Sequence, residues 1–296
     1  VLARVPSRLA AAGIRPRRVI EWYENQPVDK ASHIGFSALA PAAQIIAVRQ
    51  YPPAPNWPSL YTTTAEVKSG AAPRENWVCG SAAVSNMAIY DAVGSYRVVP
   101  ALRYAHLHRS HARANPGRRL LVLLPYSRSD ARAVLRCVVP LFPALAGSFE
   151  RVVVKPHHTA YRAAGSSVLV REWPGLKHAE FDYSNAAVAE LLENARMVVT
   201  AHSSAALEAA CRGIPVLIVG RMTGISINVL EEVDRRLWRV VYDARDLHEG
   251  IEDWTPEHPL PLAERLALGK VLREQHFEPV NEVTMRAFLP WREQRP

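Results

Sequence analysis

Only three cysteines occur, Cys79, Cys137 and Cys211, and no two are spaced as C-x-x-C. That scattered, odd count argues against a disulfide framework or a cysteine-rich zinc site and predicts reduced thiols in a cytosolic protein. All three sit among apolar neighbours and read as small core residues. No apolar run approaches the roughly 20 residues needed to cross a bilayer, and no stretch has the order of a signal peptide. G-x-G-x-x-G, Walker A, H-E-x-x-H and G-x-S-x-G sequences are all missing. Their absence weakens dehydrogenase, nucleotide triphosphatase, metalloprotease and α/β-hydrolase readings.

What is present is globular. The 296 residues suffice for two domains, with 49% hydrophobic and 22% charged residues. The formal net charge of +8 favours an anionic partner: nucleotide, nucleic acid or an acidic membrane face. Apolar, β-branched runs recur at 18–24, 43–50, 76–80, 96–101, 119–126, 151–156, 167–172, 197–202, 215–220 and 239–244. They are continuous and do not alternate, as strands covered on both faces do. Helical patterns fall between most of them, for example at 130–147 and 185–195. Strand–helix alternation predicts a parallel, doubly wound α/β architecture.

The polar, basic stretch "HLHRSHARANPGRR" carries Asn-Pro-Gly and reads as a linker. Its basic residues lack interleaved aromatics and any nucleic-acid reading module, so a solvated hinge, facing solvent or anionic lipid, fits better than nucleic acid. The expected division is an N-terminal lobe over 1–108, a linker at 109–118, a second lobe over 119–261 and a C-terminal helical segment over 262–296. The first lobe shows about four strands where a doubly wound lobe usually has five or six. Either its first strand–helix units are missing or the lobe is a shortened one.

Ligands of parallel sheets bind beyond the carboxyl ends of the strands, and those ends are repeatedly polar here. The first strand is followed by Glu24, Asn25 and Gln26, the second by Arg49, Gln50 and Tyr51, and the fourth by Arg103. In the second half come Tyr126 and Ser127, then Lys155, His157 and His158, then His202, Ser203 and Ser204. "VVTAHSSAALEAACRGIPVLIVG" (198–220) reads as strand, tight turn, helix, glycine stop and strand. Ser203 and Ser204 suit the helix start, where N–H groups and hydroxyls bind phosphate. Glu208 lies one turn in and could reach a ribose. The plainer alternative is ordinary caps and a solvated glutamate. Lys155 and His157 could neutralise phosphate oxygens, or His157 could be a hydrogen-bonded rim residue. The adjacent His157 and His158 point apart on a continuing strand, so joint metal ligation is disfavoured. Glu24 could act as a general base or cap the helix that starts at Pro27.

Together these segments resemble the GT-B glycosyltransferases of bacterial capsule, O-antigen and lipopolysaccharide assembly. The resemblance is clearest over 119–220, through "VLLPY", "VVVKPHH" and "VVTAHSSAALEAACRGIPVLIVG". "KPHH" is similar to the K-x-H-P element of transferases using CMP-activated acidic sugars, of the sialic acid and Kdo type. It departs from that element at His158, where proline is expected, and no acidic-acidic-glycine motif fixes the base. The resemblance implies two Rossmann-like lobes and a metal-independent, cofactor-free transferase, cytoplasmic or peripheral at the inner membrane. It would move a sugar from a nucleotide donor, CMP-activated in the first instance, to a glycan or lipid-linked acceptor. Donor contacts would come from Tyr126, Ser127, Lys155, His157, His158, His202, Ser203, Ser204 and Glu208. Acceptor contacts would come from Asn25, Gln26, Gln50 and Arg103, and catalysis from Glu24 and His157. Rival readings are a CDP-polyol phosphotransferase, a nucleotide-sugar epimerase or a non-catalytic nucleotide-sugar or glycan-binding lobe.

Overall fold

The computed structural model describes residues 4–109, 117–157, 165–181, 187–255 and 257–288. The chain divides into two compact units. One comprises Val1–Arg109 with Arg273–Pro296, and the other Ser110–Leu272. Most of the expected linker at 109–118 lies outside the described residues.

The N-terminal unit holds a parallel sheet of β1 (Arg18–Trp22), β2 (Gln44–Arg49), β3 (Glu75–Val78) and β4 (Ser95–Val98), in chain order. Its helices are α1 (Val5–Ala11), α2 (Pro27–Leu39), α3 (Thr64–Lys68), α4 (Ser81–Tyr90) and α5 (His106–Arg109). The inner strands β2 and β3 bury Ile46, Val48 and Trp77 in one cluster with Val99. Ala47, one residue out of phase, packs with Tyr23 and Ala72 in another. That is the two-sided burial expected of parallel strands. The outer strands differ: β1 alternates exposed and half-buried residues, leaving Ile20 and Trp22 outward. Continuous apolar sequence therefore overstates the cover on β1.

The second unit holds six parallel strands in the order β10-β9-β8-β5-β6-β7. They are β5 (Arg119–Leu123), β6 (Arg151–Lys155), β7 (Glu180–Phe181), β8 (Ala195–Thr200), β9 (Val216–Val219) and β10 (Trp238–Val241). Its helices are α6 (Arg128–Val138), α7 (Phe142–Leu145), α8 (Gly165–Glu172), α9 (Val188–Leu192), α10 (Ala205–Ala210), α11 (Ala244–Asp253) and α12 (Leu262–His276). The strand order reverses direction between β5 and β8, which is the doubly wound arrangement and creates a switch point there. A buried hydrogen bond marks the place, from Thr200 Oγ1 at the end of β8 to the Leu123 carbonyl at the end of β5, 2.8 Å. One face of the sheet is sealed by α6. Its Ala131, Val134, Leu135 and Val138 follow the i, i+3, i+4, i+7 stripe and pack on Leu120, Val122, Val199 and Leu217.

Two expectations about elements fail. Residues 167–172, read as a strand, lie in the helix α8. The apolar run there is short, and periodicity cannot separate a buried helix turn from a strand over so few residues. The wider spacing does: Leu169, Trp173 and Leu176 recur at i, i+4 and i+7, and all three join the core of this unit. The sheet position beyond β6 goes to the two-residue β7, which carries no apolar run of its own. The single helix expected over 130–147 is broken into α6, a 3-10 turn at Val139–Leu141 and α7, because Pro140 and Pro143 cannot donate to an uninterrupted helix.

The segment from 262 onward packs as part of both units. Within the second, Arg265 is buried and donates to the carbonyls of Leu260 and Gly213 at 3.2 and 2.8 Å. Within the first, the Ser81 hydroxyl donates to the Gln275 carbonyl at 3.2 Å, and α13 (Glu282–Phe288) follows.

Each unit also encloses an imidazole. Burial lowers the pKa of His276 to about 4. It does the same to His258, helped by the Arg265 cation. Their folded pKa values lie below the unfolded value of about 6.5, so the unfolded chain binds more protons as pH falls. Stability is intact above that value and declines between it and about 4. By linkage each shift is worth about 1.8 kcal/mol between pH 7 and pH 5, so the two together, with solvent screening at the half-buried His258, should cost about 2–4 kcal/mol. Melting temperature followed against pH will show this acid limb, and a His258→Gln/His276→Gln variant will flatten it. An equally steep limb in that variant would place its origin elsewhere.

Candidate functional site

The second unit gathers its polar strand ends around the switch point. The chain leaves β5 through Tyr126, which is 70% exposed, and Ser127, whose Oγ accepts the Asp130 amide at the start of α6. It leaves β6 through Lys155 and His157. The His157 ring stands edge-on to Tyr126, with centroids 5.5 Å apart, so these two loops meet. It leaves β8 through His202, Ser203 and Ser204, and then enters α10. His158 lies outside the described residues.

The start of α10 is less open than expected. Ser204 occupies the N-cap with helical torsions and no side-chain cap. The Ser203 hydroxyl accepts the Ala205 amide at 3.3 Å. The amides of Ala206 and Leu207 donate to the carbonyls of Ser203 and Ser204 at 3.2 and 3.0 Å. These N–H groups are already engaged, which leaves side chains to meet an anion. The other end of α10 is as read from sequence: Gly213 has φ +66° and its amide donates to the Ala210 carbonyl. Glu208 is buried, 8% exposed, and is not the solvated glutamate of the plainer reading.

An ion pair with one buried and one exposed partner completes this rim, and neither of its residues was a candidate from sequence. Arg221, just past β9, donates from Nε and Nη2 to both oxygens of Asp130, at 2.9 Å each. The Asp130 side chain is 6% exposed and that of Arg221 42%. The carboxylate pushes the Arg221 pKa further up. His202 senses both charges, but burial dominates and lowers its pKa, so the ring is neutral near pH 7. The strand-end rule that found Ser127 and Ser203 also points to Arg221, since it follows "VLIVG". Asp130 has no such signal.

In the N-terminal unit the expected acceptor residues separate into two kinds. Asn25 is buried at φ +60° and donates to the carbonyls of Ser59 and Tyr61 at 3.1 and 2.9 Å. Gln50 is 2% exposed and donates to the Pro100 carbonyl at 3.0 Å. Both brace loops. Gln26 is exposed at the N-cap of α2, and Arg103 is exposed beside the Tyr104 ring. The carboxylate that caps α2 belongs to Asp29, which accepts the amides of Glu24 and Gln26 at 2.8 and 3.0 Å. Glu24 is thereby released from the capping role and accepts Trp22 Nε1–H at 2.8 Å. Tyr51, past β2, links two of these residues. Burial raises its pKa to about 12, the Glu24 carboxylate adds to the shift, and the Arg103 cation opposes it. Arg49 is buried over the Tyr23 ring and donates to Asn76, Leu60 and Thr62, so it holds the loop before α3.

Among the described residues no group of His, Cys, Asp or Glu could hold a metal ion, and no helix is long and apolar enough to cross a membrane. No family model and no curated protein sequence matches the chain. Solved structures do. S. aureus MnaA, determined with UDP, superposes with a TM-score of 0.61 at 11% identity, over 100% of this chain and 81% of that one. Anabaena HepE in complex with UDP-glucose gives 0.54 at 10% identity, over 99% and 81%. The UDP-GlcNAc 2-epimerase of Methanocaldococcus jannaschii, with UDP-GlcNAc and UDP, gives 0.56 at 14% identity, over 92% and 78%. At such identities the likeness concerns architecture: the chain has an α/β fold of the GT-B type, with two parallel sheets.

Proposed function

We propose that this protein is a nucleotide-sugar enzyme that transfers a sugar from its donor to a saccharide acceptor. The observation that carries the reading is the convergence at the β5–β8 switch point. Ser127, Lys155, His157, His202, Ser203 and Ser204 come from three strand ends onto the place where ligands of doubly wound sheets bind. In this reading Lys155 and His157 meet the diphosphate and donate hydrogen bonds to its oxygens. The Ser203 and Ser204 hydroxyls add hydrogen bonds and Glu208 holds the ribose. As the glycosidic bond breaks, charge grows on the departing phosphate, and these fixed donors stabilise it. No metal is invoked for that step. Glu24 takes the proton of the acceptor hydroxyl, with Gln26 and Arg103 beside it. The acceptor is a glycan or a lipid-linked saccharide.

The donor nucleotide in this proposal is UDP. The CMP-activated donor rests on "KPHH" alone, whereas the structural neighbours above were determined with UDP or UDP-sugars. The same neighbours include an epimerase, which favours nucleotide-sugar epimerisation as the second reading. An epimerase acts without an acceptor. A thermal-shift series with UDP, CMP, GDP and ADP tests the proposal. UDP at about ten times its Kd should add about 1.4 kcal/mol, or roughly 3–5 °C. Stabilisation by CMP alone would restore the acidic-sugar donor. No shift with any nucleotide would sink the nucleotide-sugar reading.

A further inference from the structure

The second unit contains a pocket of about 580 Å³, within the ~300–1,000 Å³ usual for small-molecule sites. It lies where one face of α6 meets the loops after β9 and β10. Ser129 and Asp130 line it from α6, Arg221 and Thr223 from the loop after β9, and Tyr242 and Asp243 from the loop after β10. We propose that this pocket is a subsite for a neutral saccharide. The inference deepens the nucleotide-sugar reading and rests on it for the saccharide's role.

The charge balance selects the ligand. The lining carries two carboxylates, Asp130 and Asp243, and two guanidiniums, Arg136 and Arg221. Asp130 and Arg221 neutralise each other through two parallel hydrogen bonds. A phosphate entering here would meet carboxylates without a net positive field, in contrast to the Lys155–His157 rim. An apolar tail would leave charged groups desolvated and unpaired. A sugar ring fits both constraints, because it is uncharged and edged with hydroxyls. The fork geometry spends Nε and one hydrogen of Nη2 of Arg221 on Asp130, so the remaining donors stay available to hydroxyl oxygens. Asp243 Oδ1 accepts the Asp246 amide as the cap of α11, and Oδ2 is left as an acceptor. Ser129 and Thr223 supply hydroxyls.

A sugar also has apolar C–H faces, and the pocket supplies a surface for one. Tyr242 is 46% exposed. Its ring rests on Gly220: a Cβ built there would lie 2.6 Å from Tyr242 Cε1 and 2.8 Å from Val240 Cγ1. Only glycine at 220 lets the ring occupy that position. The Tyr242 backbone is held as well, its amide donating to Asp246 at 3.2 Å. The aromatic platform is thus built into the strand end and is present before any ligand arrives.

Two probes test the proposal: N-acetylglucosamine alone, by ligand-observed saturation transfer, and UDP against UDP-GlcNAc, by calorimetry. The wild-type protein should transfer saturation to the pyranose protons, and Tyr242→Ala should abolish that transfer. If the saccharide is the donor's own glycosyl group, UDP-GlcNAc should bind about tenfold more tightly than UDP, as an aromatic platform can supply. Tyr242→Ala should then bring the two within about twofold while leaving the Kd of UDP unchanged. If a separate saccharide is bound, UDP and UDP-GlcNAc bind equally and the transfer signal still depends on Tyr242. Gly220→Ala, which displaces the ring but keeps it, should weaken either signal. The proposal is overturned if the wild type transfers no saturation and shows no sugar increment, or if both readouts survive in Tyr242→Ala. Failure of UDP to bind, with Tyr242-dependent saccharide binding retained, would instead remove the nucleotide reading and leave the pocket assignment standing.

Discussion

On the proposed nucleotide-sugar reading, replacing His157 by alanine should lower kcat about 10²- to 10³-fold, the usual cost of deleting one preorganised donor to a developing oxyanion. The expectation follows from the state of the rim. The first amides of α10 are already bonded within the turn, so the helix start cannot supply the donors that a phosphate-binding helix normally offers. In the proposed reading the Lys155 and His157 side chains carry that load instead. The ring of His157 is half-buried against an exposed Tyr126, so its removal leaves no cavity of consequence, and melting temperature should move by little. The kinetic pattern separates roles. If His157 acts on the departing phosphate, kcat falls and KM changes little. If it only holds the ground-state nucleotide, KM rises with kcat preserved. Following UDP release and the sugar product from UDP-GlcNAc in one assay also distinguishes transfer from epimerisation, because an epimerase changes the sugar without releasing UDP as net product. A His157→Ala protein with unaltered kcat and KM would remove "KPHH" from the site.

The sequence shows where this protein is polar at its strand ends, and shows less well what those residues face. β5, β6, β8, β9 and β10 were legible because buried parallel strands are continuous β-branched runs, and little else of that length is. Residues 167–172 misled because three apolar residues fit either element, and the decisive contacts, through Trp173 and Leu176, lie outside the run. One topological rule expects Tyr126, Ser127, Lys155, His157 and Ser203 just past strand ends, and that is where the fold puts them. The same rule, applied after "VLIVG", would have reached Arg221. Asp130 was not legible by any local pattern: it is one of many acidic residues in a helix first turn, and its partner is 91 positions away. Gln50 and Asn25 show the converse. Strand-end position made them candidates, but buried backbone carbonyls must be satisfied, and those two amides do that work. Tyr51 was on view beside Gln50, and only the folded neighbourhood of Glu24 and Arg103 distinguishes it.

Arg221→Ala should destabilise the second unit by about 2–3 kcal/mol, and Asp130→Ala by less, although they delete the same pair. Breaking a buried ion pair costs about 3–5 kcal/mol when a charge is left without its partner. The two charges here are unequally placed: Asp130 is 6% exposed and Arg221 42%. Without Arg221 the carboxylate stays in the protein with no counter-charge. Without Asp130 the guanidinium turns to water, so about 1 kcal/mol is expected, and the exposure of Arg221 keeps both figures below the fully buried case. The Asp130→Ala/Arg221→Ala double variant should then be more stable than Arg221→Ala alone, since it removes the stranded charge, and the cycle should show coupling well above the few tenths expected of independent sites. Thermal denaturation reads all three, with roughly 5–10 °C expected for Arg221→Ala. Equal losses that add in the double variant would mean that the pair behaves as a surface contact. The asymmetry also bears on binding. Arg221 ties the loop after β9 to α6, and that loop with Tyr242 borders the pocket assigned to saccharide. Arg221→Lys, which keeps the charge but not the two-pronged geometry, should therefore retain most of the stability while weakening the saccharide signal, a separation that loss of folding alone cannot produce.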